Sequence, residues 1–145
     1  GPEDEYLLTL PETRMEYHNI FDLLDKTTQT KNGCTLSYNS ATETYTLDTA
    51  PSETSYFYLY SKSNGFPPGL NPGDLIMFGS RSGTSACRLY AGYYNGSSWT
   101  SLGNGYTAAG LAVYQVPSNA VGIRFYLSAT TALTANTTAR PIVLV

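Results

Sequence analysis

The stretch Val121-Gly122-Ile123-Arg124-Phe125-Tyr126-Leu127-Ser128 places a large apolar residue at every second position. Because successive side chains of a β-strand point to opposite faces, Ile123, Phe125 and Leu127 are expected to share one face with Val121. The residues between them then lie on the other face. This alternation is typical of a strand in an antiparallel sheet that buries one side and exposes the other.

The same alternation recurs in short runs on both sides of this stretch, separated by Gly, Pro, Asn and Ser. Asn95-Gly96 is the strongest hairpin signal, since both residues tolerate the positive φ of a type I′ turn. About nine such runs, with no segment of helical period, predict an all-β chain: a two-layer antiparallel β-sandwich, jelly-roll-like. The expected core consists of Leu36, Leu47, Phe57, Leu59, Ile76, Phe78, Leu89, Ile123, Phe125 and Leu127.

The charges divide the chain into a tail and a body. Gly1-Pro2 is typical of the scar that a cleaved expression tag leaves. Seven of the 11 acidic residues lie within residues 1–25. Residues 3–19 are also aperiodic, and we interpret them as an acidic tail or linker. Residues 20–145 then form the folded binding domain.

The body excludes some classes of partner and leaves the state of its cysteines open. Its bases are spread out rather than clustered, so nucleic acid is not an expected ligand. No apolar run approaches the roughly 20 residues of a membrane span. Cys34 and Cys87 each fall in a strand-like run. A disulfide needs their Cα atoms within about 7 Å, and two buried free thiols are the favoured alternative.

Residues suited to catalysis are sparse, and we predict a non-catalytic domain. The lone histidine, His18, lies in the acidic segment, where nothing indicates a rigid partner for it. Gly79-Ser80-Arg81-Ser82-Gly83 has arginine where a nucleophile elbow needs serine, and it is predicted to form a turn. No cofactor is expected. The alternative is a calcium ion held by Asp48, Glu53 and backbone carbonyls, since calcium takes six to eight oxygen ligands.

The outward positions of several predicted strands are rich in tyrosine and arginine. Tyrosine can stack on the C–H face of a sugar, and arginine presents a rigid donor fork to acidic groups. We therefore predict a ligand site formed by Arg88, Tyr90, Tyr94 and Trp99. The alternative is structural, because tyrosine also stabilises half-exposed sheets through cross-strand pairs. The full outward set is Tyr56, Tyr58, Tyr60, Arg88, Tyr90, Tyr94, Tyr114, Arg124 and Tyr126.

A series of turn and strand motifs spans about 125 residues of the chain. They are Phe21-Asp22-Leu23-Leu24, residues 28–33, Pro68-Gly69-Leu70-Asn71-Pro72-Gly73-Asp74, Arg88-Leu89-Tyr90, residues 94–99, Val116-Pro117, residues 120–124, residues 133–138 and Arg140-Pro141-Ile142. Their order resembles a carbohydrate-binding-module-like β-sandwich of tail, baseplate and fibre proteins from bacteriophages and prophages of gut Gram-positive bacteria. One departure is that Gly79 to Ser85 looks like a longer loop than this resemblance leads us to expect.

The resemblance implies adhesion to a host surface. The expected partners are a glycan or bacterial cell-surface polymer and the parent tail protein with its neighbouring domains. The expected location is the virion or the extracellular space, with weak binding per copy. The resemblance supplies no catalytic residues. The second hypothesis for the same chain is a structural or oligomerisation domain of a virion protein, with its tyrosines buried against a partner chain.

Overall fold

A computed structural model describes residues 17–81, 84–104 and 111–145, without the side chains of Arg81 and Asn104. In these ranges the chain forms one short 3₁₀ turn, Phe21–Leu23, and ten β-strands. The strands are β1 (Gln29–Lys31), β2 (Cys34–Asn39), β3 (Thr44–Leu47), β4 (Ser55–Lys62), β5 (Leu75–Arg81), β6 (Cys87–Tyr94), β7 (Trp99–Asn104), β8 (Ala112–Gln115), β9 (Gly122–Ala129) and β10 (Thr137–Leu144).

The strands form two antiparallel sheets. One has six strands in the order β1-β2-β3-β10-β5-β8, and the other has four in the order β4-β9-β6-β7. Strands β3 to β10 alone give the orders 3-10-5-8 and 4-9-6-7, which are those of a jelly roll. The β1–β2 hairpin extends the larger sheet beyond β3. The prediction of an all-β jelly-roll-like sandwich is confirmed, with ten strands instead of about nine.

The core lies between the sheets and follows the period of two. All ten residues predicted for it are at most 1% exposed. Phe125 of β9 and Phe78 of β5 meet across the two layers, with ring centroids 6.0 Å apart. Val121 is the exception on the stretch that predicted the fold, because it precedes β9 and is 41% exposed.

Two tyrosines predicted to face outward instead turn toward the core. The register between β4 and β9 shifts between Tyr58 and Tyr60, so Tyr60 pairs with the buried Phe125 and packs against the core. Tyr114 of β8 stacks on Phe78 at 5.6 Å. Gly103 accommodates its phenol, since a Cβ at that position would lie 2.4 Å from the hydroxyl. The prediction was wrong for both residues.

The edge of the four-stranded sheet is covered by side chains of the six-stranded one. The Gln29 amide donates to the carbonyl of Tyr58 at 2.9 Å, and the Lys31 ammonium donates to the carbonyl of Tyr56. β1 thus takes up acceptors that β4 would otherwise present to another strand. Covering an edge in this way is a common protection against edge-to-edge pairing.

Both cysteines are free and buried, as the favoured alternative predicted. Burial raises the pKa of the Cys87 thiol to about 12, and the nearby Cys34 adds to the effect. Burial also raises the pKa of Cys34. Cys34 begins β2 and Cys87 begins β6, so the two thiols come from opposite sheets.

The loop predicted from Gly79 is shorter than expected. Gly79 to Arg81 continue β5 and pair with Arg140 to Ile142 of β10. The prediction of a turn beginning at Gly79 was therefore wrong for its first three residues. Ser82 and Gly83 lie outside the described residues.

The described end of the predicted tail is joined to the last strand. His18 and Val145 exchange two backbone hydrogen bonds of 2.8 and 3.0 Å, and Asn19 bridges to Leu144. Tyr17 packs against Met77, Ile142 and Leu144. Residues 3–16 of that tail lie outside the described residues.

Candidate ligand-binding face

All four predicted site residues lie on the outer face of the four-stranded sheet. Cross-strand pairing arranges this face in rows: Tyr56 beside Ser128 and Arg88, then Tyr58 beside Tyr126 and Tyr90. Further along, Arg124 lies beside Gly92, and Tyr94 pairs with Trp99. We call this surface the aromatic face, formed by Tyr56, Tyr58, Arg88, Tyr90, Tyr94, Trp99, Arg124 and Tyr126.

Four tyrosines from three strands make a continuous patch centred on Tyr126. Its ring stacks on Tyr90 with centroids 5.6 Å apart and an interplanar angle of 11°. Tyr56 approaches it edge-on, with centroids 5.1 Å apart, and Tyr58 approaches it with a tilted ring at 5.3 Å. Burial raises the pKa of Tyr126, and its neighbours Tyr56, Tyr58 and Tyr90 add to the effect, whereas Arg124 lowers it.

A second aromatic pair lies at the end of the β6–β7 hairpin. Tyr94 and Trp99 are paired across the strands, with ring centroids 5.1 Å apart. The loop between them is held by Asn95, whose side-chain oxygen accepts the amides of Ser97 and Ser98 at 2.8 and 2.9 Å. Only Gly96 in this loop has a positive φ, so the predicted hairpin is present but its turn is not type I′.

Arg124 connects the two aromatic groups. Its guanidinium carbon lies 4.4 Å from the Trp99 ring centroid, 5.2 Å from Tyr58 and 5.6 Å from Tyr126. Cation–π contacts of this kind favour the charged group while leaving its N–H donors in the guanidinium plane. The Nε atom of Arg124 is buried and has no hydrogen-bond partner among the residues that the structure describes.

A glycine makes room for this arginine. Gly92 lies directly across from Arg124 in the β6–β9 pairing. A Cβ at position 92 would lie 3.4 Å from the Arg124 Nε and 3.2 Å from the carbonyl oxygen of Thr100. A side chain at position 92 would be crowded by the Thr100 carbonyl oxygen first and by Arg124 next, so glycine leaves the arginine room to lie over β6.

Arg88 occupies the opposite end of the aromatic face and shares the same feature. Its Nε is also buried, and no described residue forms a hydrogen bond with it. Within the described part of the chain, neither Arg88 nor Arg124 has an ion pair. Arg140 on the other sheet differs, because its guanidinium bonds the Glu43 carboxylate at 2.7 Å.

The structure divides the four predicted residues into two groups and adds a third between them. Arg88 and Tyr90 lie at one end, Tyr94 and Trp99 at the other. Arg124 and Tyr126 of β9 fill the space between and touch both groups. Both were in the predicted outward set, but their central position depends on which strands lie side by side. The strand order of the sheet determines that Arg124 and Tyr126 lie in the centre.

Other candidate sites are less developed. A cleft of about 340 Å³ beside the end of β10 is lined by His18, Asp22, Leu23, Pro68 and neighbouring residues, away from the aromatic face. In the ranges described, no group of three or more His, Cys, Asp or Glu side chains is placed to share a metal ion. The Asp48 carboxylate accepts the amide of Thr35 at 2.8 Å, which ties two strands together.

The fold and this face define a jelly-roll β-sandwich domain with an aromatic, cationic outer sheet surface. Comparison with protein-family models, curated proteins and solved structures gave no match to the chain. None of the helices in the described ranges is long and apolar enough to span a membrane.

Proposed function

We propose that this chain is a non-catalytic recognition module for glycans or polymers of a bacterial surface, carried by a phage tail-type protein on the virion or in the extracellular space. The observation that carries the proposal is the aromatic face, where rings from four strands lie on one side of a sheet with two arginines that form no ion pair within the described ranges. The phage setting rests on the resemblance of the turn and strand motifs.

The chemistry of the face suits sugars. Tyrosine and tryptophan offer flat apolar surfaces for the C–H faces of pyranose rings, together with hydroxyl and N–H groups for hydrogen bonds. Tyr56 is 46% exposed, while Tyr58, Tyr90, Tyr94 and Trp99 are half-buried, so ring surface remains open to a ligand. Their mutual contacts hold the rings in place, which lowers the entropy lost on binding.

The shape of the face predicts weak binding by a single copy. A ligand lying on an open sheet surface keeps much of its own surface in water, so we expect dissociation constants from micromolar to millimolar, roughly −4 to −8 kcal/mol. Several copies on one particle would raise the apparent affinity by about 10²–10⁴ through effective concentration. Such binding suits reversible adhesion.

The experiment is a glycan array combined with pull-down on bacterial cell walls, using the parent chain, Trp99→Ala and Tyr94→Ala. Each variant is expected to bind at least about tenfold more weakly, because central aromatic contacts dominate such interfaces. Their melting temperatures should stay within a few degrees of the parent, since neither residue belongs to the core. Thr46→Ala, on the other sheet, is the matched control and should bind like the parent.

The rival function, a structural or oligomerisation domain, predicts a different result in the same samples. If the face packs against a partner chain, Trp99→Ala and Tyr94→Ala should change the molar mass measured by light scattering. Variants that fold, keep wall binding at the parent level and shift the oligomeric state would overturn the glycan proposal in favour of the structural one.

A further inference from the structure

We propose that the aromatic face binds acidic polymers in preference to neutral ones, with Arg124 as the specificity-determining residue and Arg88 as a second contact. The inference rests on the proposed function and deepens it. The acidic group is a carboxylate or a phosphate, since both present the paired oxygens that a guanidinium fork recognises.

The first support is that Arg124 is a half-buried cation whose Nε has no hydrogen-bond partner in the described ranges. A buried donor without an acceptor is costly, more so when its group is charged. The rings of Trp99, Tyr58 and Tyr126 stabilise the cation but do not neutralise its charge. Arg124 is only half-buried, so a ligand on the face would meet the exposed part of its guanidinium. A carboxylate or phosphate would form an ion pair there, which a neutral sugar cannot do.

The second support is the local charge. The whole chain has a formal net charge of −3. The aromatic face nevertheless contains two arginines, and Lys31 adds a third positive charge 4.9 Å from the Tyr58 ring. Within the described ranges, the carboxylate that does pair with an arginine is Glu43, bound to Arg140 on the other sheet. Seven of the 11 acidic residues lie within residues 1–25, so the net negative charge does not come from this part of the chain, and the cationic side chains of the face favour an anionic ligand.

The third support is the spacing of the two arginines. Arg124 pairs with Gly92, and Arg88 pairs with Ser128, four residues further along β9. At about 3.4 Å per residue the two rows lie roughly 13–14 Å apart. The Tyr90–Tyr126 stack lies midway between them. A ligand that reaches both arginines must extend over the stack, which a polymer with repeated acidic groups can do.

The test measures dissociation constants by isothermal titration with three polymers. Polygalacturonate carries carboxylates, its fully methyl-esterified form is the neutral match, and poly(glycerol phosphate) carries phosphates. We expect binding to at least one of the two acidic polymers to be tenfold or more tighter than to the ester. Arg124→Gln should lose that preference, and Arg124→Lys should regain only part of it because lysine lacks the fork.

Two further variants separate a specific role from a general one. Arg140→Gln removes a positive charge from the other sheet and should change binding by less than twofold. Gly92→Ala leaves every charge in place but crowds Arg124 through its Cβ, and it should weaken binding to the acidic polymer about tenfold. Gly92→Ala also keeps the test valid if Arg124→Gln fails to fold.

Each outcome decides between the two proposals. Binding of the carboxylate or the phosphate polymer alone supports the inference and identifies the acidic group. Equal binding of polygalacturonate and its ester, or equal losses for Arg124→Gln and Arg140→Gln, overturns the inference but leaves the glycan proposal intact. Cell-wall binding that depends on Trp99 but not on Arg124 has the same meaning. If the parent chain binds neither cell walls nor any of the three polymers, both the inference and the glycan proposal are overturned.

Discussion

Two rows of side chains on opposite outer faces of the sandwich show how differently the same β-pattern is used. On the six-stranded sheet, Ser37, Thr46 and Thr138 lie side by side on β2, β3 and β10. On the four-stranded sheet, the corresponding row is Tyr58, Tyr126 and Tyr90 on β4, β9 and β6. Both rows face away from the core, and all of their residues except serine are strong strand formers.

The difference between the rows lies in what they leave on the surface. Small hydroxyl side chains bond one another locally, as Thr30 and Thr35 do at 2.9 Å. The tyrosine rings of the aromatic face instead pack against one another, and Arg124 lies at the end of this group of rings. A polar outer face is enough to keep a sheet in water. Keeping the sheet in water does not require the exposed rings and the cation of the aromatic face. We therefore interpret them as a ligand site.

The largest expected effect on stability comes from a substitution in the core between the two sheets. Phe125→Ala should destabilise the domain by about 3–5 kcal/mol, as truncation of a large buried ring generally does. Phe125 is fully buried and packs on Phe78 of the opposite sheet. Urea unfolding followed by circular dichroism measures the change. Thr46→Ala, in the row of Ser37, Thr46 and Thr138, should change the free energy of unfolding by no more than about 0.5 kcal/mol. Equal losses of stability for Phe125→Ala and Thr46→Ala would contradict the assigned core.

The buried cysteine thiols make the free energy of unfolding sensitive to alkaline pH. The pKa of Cys87 rises from its ordinary value of 9.0 to about 12, so the folded chain keeps a proton that the unfolded chain loses above pH 9. Stability from this group is complete below pH 9. It then falls by about 1.4 kcal/mol per pH unit until pH 12. Cys87→Ala should flatten the slope of unfolding free energy against pH, and an unchanged slope would contradict the assignment.

A smaller effect is expected on the aromatic face itself. Tyr126→Ala removes contacts with Tyr56, Tyr58 and Tyr90 and should cost about 1–3 kcal/mol, because each cross-strand aromatic pair contributes roughly 0.2–1 kcal/mol. Chemical denaturation against the Thr46→Ala control gives the difference. A cost equal to that of the control would mean that the rings contribute nothing to folding.

The last comparison concerns the N-terminal segment, where only the longer of two deletions is expected to destabilise the domain. Removal of residues 3–16 is expected to leave a folded, stable domain. Extending the deletion through His18 should cost about 1–3 kcal/mol more, since it removes the two backbone hydrogen bonds with Val145, each contributing roughly 0.5–1.5 kcal/mol. Melting temperatures of the two truncated chains measure the difference. A large drop with the shorter deletion would show that residues 3–16 pack on the sandwich.

The amino-acid sequence alone determined the fold class and the core. Strict alternation in β9 and β6, and turn residues between the strands, predict a sandwich whose ten expected core residues are all buried. This worked because the side-chain period of a strand is local, and one buried face imposes it on each strand separately. The same logic identified the outer positions of Arg88, Tyr90 and Arg124.

Only the tertiary structure decided which outward residues meet. Tyr60 turned inward because the β4–β9 register shifts beside it, and Tyr114 turned inward to stack on Phe78. The assembly of Arg124 over Gly92 and against Trp99 joins three strands through cross-strand pairing. A local pattern shows which side of its own strand a residue occupies, but neighbours across strands depend on sheet order and register, which are properties of the whole chain.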